Sequence, residues 1–321
     1  MSCLTGFSRL LIVVLMAFFS SSTLNAQEID LQGHRGTRGL MPENTLPAFA
    51  RALSIGVTTL ELDLAVTRDN VVVVSHNLRL NREITRNQAG KWLREDGADV
   101  GAINPASRYA ARFSSQTAVN GTVIPTLDQV FDLVKRSGNK TVRFNIETKL
   151  YPQEPDLAPA PTEFVEAVLK VIRGQQMSDR VTIQSFDWRT LQVVQKLAPE
   201  IPTAYLSVAQ SWLDTLQSGK SGASPWLAGF DIDQFQQSEP RAIKAAAGRI
   251  WSPYHKEVTR EKIDLAHQLG LEVVVWTVNE PRRMEELVAM GVDGIITDYP
   301  DRLRAVLQKI GLSVPKATPI K

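Results

Sequence analysis

The chain has 321 residues, 43% of them hydrophobic and 22% charged, and a net charge of +2. These fractions suit a globular protein with a full core, and the near-neutral balance without a long basic run argues against a nucleic-acid or other polyanionic partner. The single cysteine, Cys3, excludes a disulfide framework within the chain.

The amino terminus reads as an export signal. Arg9 precedes an apolar run over 10–19, followed by small polar residues up to Ala26. That run is short for a membrane span and suits a secretory signal peptide over 1–26, which leaves 27–321 as the mature domain. An uncleaved anchor is the rival reading. Cleavage would remove Cys3, and the bacterial periplasm or the medium is the expected location. No later stretch is apolar enough to span a bilayer.

After residue 26, short apolar and β-branched runs alternate with helical patterns. Strands are predicted at 29–32, 58–64, 71–75, 141–147, 181–184, 203–207, 227–231, 249–252, 272–277 and 294–297. Most are continuous apolar runs, as buried parallel strands are. Helices are predicted at 45–54, 127–136, 162–173, 188–197, 241–247, 260–269, 282–290 and 301–310. Gly56, Gly138, Gly174, Gly248, Gly270, Gly291 and Gly311 stand where helices should stop. The alternation predicts an α/β fold, a single (β/α)8 TIM barrel; a doubly wound open sheet is second choice because the dinucleotide glycine fingerprint is missing. Ten strand candidates exceed the eight a barrel needs, so one or two should be hairpins or false. The 67–70 stretch is turn-like, so the chain after 63 is read as a looped extension. Residues 78–125 are polar and glycine-rich, and are read as an insertion near the barrel mouth, either functional or passive.

Chemistry concentrates at strand ends. Glu61 and Asp63 are two apart on a strand and leave the same face; side by side and buried they repel, a conflict a divalent cation resolves. Asn145, Glu147 and Lys149 share one face of another strand end, so Glu147 would complete an oxygen site and Lys149 would face phosphate charge. Asn145 is placed as their support. His34 follows a strand inside a glycine-bracketed turn, next to Arg35, which suits bidentate phosphate contact. His76 ends the 71–75 run. Two imidazoles at separate strand ends could serve as base and acid in turn. His267 lies in a helical pattern and is read as surface; His255 follows a strand and is read as structural or at the mouth.

These residues resemble the glycerophosphodiester phosphodiesterase family. The likeness rests on Gly33-His34-Arg35-Gly36, Pro42-Glu43-Asn44-Thr45 with Ala48-Phe49, Gly56, Glu61-x-Asp63, Asp69, the valine run into His76 and Asn145-x-Glu147-x-Lys149. It continues through Ser185-Phe186, Val275-Trp276-Thr277-Val278-Asn279 and the 291–300 segment ending Thr297-Asp298-Tyr299-Pro300. It spans about residues 30–305, and Arg38-Gly39-Leu40 with the insertion resembles the exported branch. The resemblance implies a (β/α)8 barrel that hydrolyses glycerophosphodiesters such as glycerophosphocholine or glycerophosphoethanolamine to glycerol 3-phosphate and an alcohol. It implies Ca2+ or Mg2+ on Glu61, Asp63 and Glu147, acid-base roles for His34 and His76, and phosphate contact from Arg35 and Lys149. Trp276 would flank glycerol or head group, Glu43 would orient Arg35 or a metal-bound water, and Asn44 or Thr45 would cap the next helix. Two positions depart from the family pattern: Asn77 stands where an Asp is usual, which would lower the basicity of His76, and Thr148 replaces an Ile at a position pointing away from the site. A lysophospholipase D-like activity, with the insertion forming an acyl groove, is the nearest alternative. A non-catalytic glycerophosphodiester-binding protein is a further one.

Overall fold

The structure, a computed structural model, describes residues 28–87, 89–93 and 112–320. The expected signal segment 1–26 lies outside the described residues, as do 94–111 of the expected insertion.

The chain begins with β1 (Asp30–Gly33), α1 (Leu46–Ile55), β2 (Thr59–Val66), β3 (Val72–Val74), α2 (Leu127–Arg136), β4 (Arg143–Thr148), α3 (Pro161–Gly174) and β5 (Val181–Ser185). It continues with α4 (Trp188–Leu197), β6 (Thr203–Ser207), β7 (Ala209–Gln210), β8 (Leu213–Asp214), α5 (Glu239–Ala245) and β9 (Ile250–Pro253). It ends with α6 (Arg260–Gln268), β10 (Glu272–Val275), α7 (Pro281–Ala289), β11 (Gly294–Thr297) and α8 (Pro300–Lys309). Eight parallel strands run in the order β1-β11-β10-β9-β6-β5-β4-β2, and β1 pairs with β2 to close the ring. Helices α1 to α7 make the crossovers, so the fold is the expected (β/α)8 barrel. No helix among the described residues is long and apolar enough to cross a membrane.

β2 shows how the sequence builds the layers. All eight of its residues are buried. Leu60, Leu62 and Leu64 join Phe49, Phe131 and Phe144 in the main apolar cluster between strands and helices. The alternate residues Glu61 and Asp63 therefore face the barrel axis. α2 is anchored by a capping box between Thr126 and Gln129, and its Phe131 packs edge-on against Phe144 at 4.8 Å.

The barrel interior is chemically divided. Ala204, Ile250, Val274 and Ile296, from β6, β9, β10 and β11, form a small apolar cluster under Trp276. From β1, β2, β4 and β5 come Gln32, Glu61, Asn145 and Gln184, none more than 4% exposed. Asn145 Nδ2 donates to Gln32 Oε1 (2.8 Å) and Gln184 Oε1 (3.0 Å), and Gln184 Nε2 donates to Glu61 Oε1 (2.9 Å).

Several sequence expectations need correction. The 71–75 run is no barrel strand: β3 folds back antiparallel on the upper part of β2, pairing Leu64 with Val74. The extra length of β2 makes that hairpin possible, and the hairpin returns the chain to the barrel mouth. The 227–231 run is a turn, because Ala228 (φ 53°) and Gly229 (φ 90°) adopt left-handed conformations that no strand accepts. The β7–β8 hairpin was not anticipated; strands of two residues leave no periodic signal. Two helix stops also differ. Gln176 (φ 57°) and Ala247 (φ 55°) take the left-handed positions, and Gly174 and Gly248 do not. Gly248 is small for another reason: a Cβ there would meet Ile243 at 2.6 Å and the Tyr205 ring at 2.8 Å.

Candidate active site

Three carboxylates converge at the carboxyl end of the barrel. β2 pairs with β4 so that Glu61 lies beside Asn145 and Asp63 beside Glu147. Oxygens of Glu61, Asp63 and Glu147 lie within 4.8 Å of one another, and all three residues are buried. Two buried cations share the space. Lys149 Nζ lies 2.7 Å from Glu147 Oε1 and 3.1 Å from Asp63 Oδ1. Arg35 Nη1 donates to Glu43 Oε1 (2.7 Å), and its Nε lies 3.2 Å from Asp63 Oδ2 without hydrogen-bond alignment.

The electrostatics are those of an acid-rich pocket short of positive charge. Burial, then the adjacent Asp63 charge, pushes the Glu61 carboxyl well above its ordinary range. Burial also pushes Glu147 up to about 7, against the pull of Lys149. Asp63 goes the other way: burial opposes its charge, but Lys149 and Arg35 outweigh it and hold the carboxyl low. Burial likewise opposes the charges of Lys149 and Arg35, and their acidic neighbours more than restore them. Asp63 Oδ1 is buried without a hydrogen-bond partner. Three converging carboxylates, two of them held up in pKa by burial and by one another and one countered by the Lys149 charge 3.1 Å from its Oδ1, are the donor chemistry a hard divalent cation satisfies, and Glu61, Asp63 and Glu147 fit one.

The turn after β1 is wrapped around Glu61. Arg35 (φ 48°) and Gly36 (φ 80°) are left-handed, so the Arg35 N–H donates to Glu61 Oε2 (2.7 Å) and the Gly36 N–H to the Glu61 carbonyl (3.1 Å). A Cβ on Gly36 would strike Ala48 at 2.8 Å, and one on Gly33 would strike the Gly36 carbonyl at 2.2 Å; these glycines let the turn lie against α1. Asn44 (φ 56°) does not cap α1; its Nδ2 donates to Asp63 Oδ2 (2.8 Å), while Thr45 caps the helix by accepting from Ala48 N. Glu43 does hold Arg35.

His34 is gripped from behind. Its Nδ1 lies 2.7 Å from Asp298 Oδ1, at the end of β11. The carboxylate accepts, so Nδ1 carries the proton; Nε2, 4.0 Å from Glu61 Oε2, is left with its lone pair. Burial, then the Arg38 guanidinium, lowers the His34 pKa to about 4 despite Asp298, so the ring is neutral. His76 follows β3, whose return is tied down where Ser75 N donates to Asp63 O (2.9 Å). Its Nδ1 sits 3.4 Å from Asn77 Oδ1, a weak contact. Burial, then Arg35 and Lys149, lowers its pKa well below the ordinary value.

His34, His76, Glu61, Glu147, Arg35 and Lys149 open into one cleft of about 920 Å³, with Asp63 buried behind them. One side is the charged cluster. The other is an aromatic wall in which ring contacts, edge-on except for the tilted Tyr254–Trp276 pair, link Tyr151, Trp226, Phe186, Trp276, Tyr254 and Trp212 at centroid separations of 5.3–6.4 Å. Trp276 Nε1 donates to the Ser252 carbonyl (2.9 Å), which fixes its ring in that wall.

The predicted site residues gather in or just behind this cleft, but two are used differently from the expectation. Arg35 and Lys149 are paired with acids; Asn145, expected as support, sits one layer lower and reaches Glu61 through Gln184. Thr148 points away, as expected, with its Oγ1 2.8 Å from Thr190 Oγ1. His267 pairs with Asp293 (2.8 Å) on the surface; His255 stacks edge-on against Tyr254 with Nδ1 buried and unpartnered. Asp298, Arg38, Asn279 and Gln184 were not assigned roles, and Asn44, named with Thr45 as the expected helix cap, instead holds Asp63. Asp298 carried a readable signal, an acid directly after a buried strand end; Gln184 carried none.

Comparisons with known proteins agree with one another. The sequence profile of the glycerophosphoryl diester phosphodiesterase family matches residues 34–302. A glycerophosphodiester phosphodiesterase of Caldanaerobacter subterraneus is 28% identical over 282 residues, covering 87% of this chain and 97% of the relative. A crystal structure from Silicibacter pomeroyi, described as a glycerophosphoryl diester phosphodiesterase, is similar with a TM-score of 0.76 and 36% identity, over 90% of this chain and 96% of that one. The fold is also shared by an Oleispira antarctica phosphodiesterase in complex with its product sn-glycerol-3-phosphate (TM-score 0.63, 18% identity, 88% and 97% covered).

Proposed function

The chain belongs to the glycerophosphoryl diester phosphodiesterase family, a family of phosphoric diester hydrolases, and on that premise we propose a cation-assisted, two-histidine cleavage of glycerophosphodiesters to sn-glycerol 3-phosphate and an alcohol. The observation that carries the proposal is the convergence of Glu61, Asp63 and Glu147 from two strands, with His34 and His76 reaching the same cleft.

Glu61, Asp63 and Glu147 would hold Ca2+ or Mg2+. Such an ion, when bound, supplies positive charge against the phosphoryl oxygens as negative charge builds there. Arg35 and Lys149 add to that field, and the ion's own charge would loosen their hold on the carboxylates so that they turn toward phosphate.

The two histidines differ in support, and the difference assigns their roles. His34 leans on a carboxylate, which stabilises the imidazolium it becomes; it is the base, taking a proton at Nε2 from the attacking hydroxyl, either that of water, which gives glycerol 3-phosphate directly, or the substrate's own, which gives a cyclic phosphate that a water then opens to glycerol 3-phosphate. Beside His76 stands the neutral Asn77 amide and its pKa lies well below the ordinary value, so the ring is neutral at rest; the fraction that takes a proton from solvent is a strong acid. It delivers a proton to the departing alkoxide. The aromatic wall with Trp276 excludes water on the far side and lies against glycerol or head group. Export follows the same reading: the 1–26 segment would be removed, and amino-terminal sequencing of the secreted protein would show the cut.

The test is release of glycerol 3-phosphate from glycerophosphocholine and glycerophosphoethanolamine, with and without EDTA and with Ca2+ or Mg2+ restored. Activity should vanish with EDTA and return with the ion. His34→Ala and His76→Ala should each lose about 10²–10⁴-fold in turnover. Near-normal turnover in either would end the two-histidine assignment.

A further inference from the structure

We infer that the carboxyl-terminal part of the 78–125 insertion, Phe113 to Thr117, is a positioning clamp that holds His34 in its working orientation through Arg38 and Asp298. The inference rests on the assignment of His34 above.

Asp298 is saturated. Its Oδ1 accepts from His34 Nδ1 (2.7 Å) and Arg38 Nε (2.7 Å), and its Oδ2 from Arg38 Nη2 (3.0 Å) and Asn279 Nδ2 (2.7 Å). Four donors fill the four lone-pair directions of a carboxylate. Two of them belong to one planar guanidinium, so the plane of Arg38 fixes the plane of Asp298, and hence the direction from which His34 is held. Asn279 is itself set by accepting the Asp298 backbone N–H on Oδ1 (3.0 Å).

What fixes Arg38 comes from the insertion. Its guanidinium carbon lies 5.0 Å from the centroid of the Phe113 ring, and Phe113 is only 4% exposed; this is a stacked cation on a buried aromatic face. Gln116 Nε2 donates to the carbonyls of Arg38 (2.8 Å) and Met41 (3.1 Å), and the Thr117 N–H donates to the Leu40 carbonyl (2.8 Å). These contacts fall on 38–41, the turn that carries the brace for His34. A segment that merely covered the barrel rim would have no reason to bond to three carbonyls of one turn and stack on its one inward-reaching cation.

A Phe113→Ala substitution leaves Asp298 ionised but frees Arg38 to swing toward solvent, so His34 is misaligned rather than removed. Expected is a fall in kcat of about 10- to 100-fold, the cost of small misplacement of a reacting group; Phe113 also lines the cleft, so KM should change too, but by less than kcat falls. Gln116→Ala should fall in the same direction by less. Phe113→Tyr, which keeps the stacked face, should restore most of the turnover. Arg38→Ala, which also removes two donors to Asp298, should lose at least as much as Phe113→Ala, and the double variant should be no worse than Arg38→Ala alone, since both act through one brace. A second readout does not depend on the substrate: the His34 Nδ1–H proton, donated to a carboxylate, should resonate far downfield in the proton NMR spectrum of the wild type and broaden away in Phe113→Ala. If Phe113→Ala keeps that resonance and wild-type kcat, or if the double variant loses the product of the two single losses, the clamp is refuted. A wild type inactive on glycerophosphodiesters but with a resonance that responds as described would refute the substrate and leave the clamp standing.

Discussion

The two halves of the barrel interior are built from the same kind of strand and reach opposite ends. β6, β9, β10 and β11 fill their share with Ala204, Ile250, Val274 and Ile296, a packed floor under an aromatic wall. β1, β2, β4 and β5 fill theirs with Gln32, Glu61, Asn145 and Gln184, polar groups at least as deeply buried. Polar groups at that depth need partners, and here they donate to each other in one line ending on Glu61, with Asn145 Oδ1 left without a hydrogen bond. The apolar half needs only shape; the polar half needs every member. The difference teaches where functional constraint sits in this barrel: the line of amides fixes the rotamer of a carboxylate whose natural tendency, next to Asp63 and Glu147, is to turn away.

The largest break in that comparison comes from making the polar half locally apolar. Gln184→Leu keeps the volume but removes the donor to Glu61 Oε1, leaving the carboxylate free to rotate. Cation affinity should drop about 10–100-fold, the usual cost of losing a partner that orients a metal ligand. Isothermal titration with Ca2+ or Mg2+ measures it, and an unchanged affinity would show that Glu61 needs no orientation from below.

A smaller effect sharpens the same point through protons. Without a cation, Glu147 is held near a pKa of about 7 and Glu61 is raised as well. The cation requires both ionised. The sign follows: as pH falls through about 7, protons compete with the ion, and apparent affinity should weaken about tenfold per pH unit for each proton displaced. Binding at pH 6 should release protons, seen as a buffer-dependent heat. A pH-independent affinity between 6 and 8 would contradict the raised carboxyls.

The same division explains what the sequence disclosed. The apolar strands, the eight helices and the inward face of Glu61 and Asp63 were legible, because burial writes a period into the chain that needs no partner to be read. β3 was legible as a β-branched run but not as a hairpin, since antiparallel return depends on β2 being longer than its neighbours. The 227–231 run misled because Leu227 is buried beside a turn, and burial alone carries no period. Arg35 was expected beside Glu43, eight residues on in the same segment, and is found there; its second acid, Asp63, comes from β2 and was not expected against it. Gln184 left no mark, and Asn279 showed only as the end of the 275–279 motif, with no role: an amide is ordinary in any sequence, and its importance lies in the partner it meets in the fold, at Glu61 and Asp298 respectively.

The smallest expected effect lies at the outer edge of the apolar half. Trp212, at the tip of the β7–β8 hairpin, is 59% exposed, yet its ring packs against Tyr254 at 5.7 Å and Trp276 at 6.3 Å. An exposed ring contributes little to folding, so Trp212→Ala should change stability by no more than about 0.5 kcal/mol. If the wall acts only as a shaped boundary, kcat should stay at the wild-type value and KM for glycerophosphocholine should rise a few-fold, because what is lost is contact made equally in ground and transition states. A matched fall in kcat would mean that this half also takes part in aligning the reacting groups, and the contrast between a shaped half and a wired half would fail at its rim.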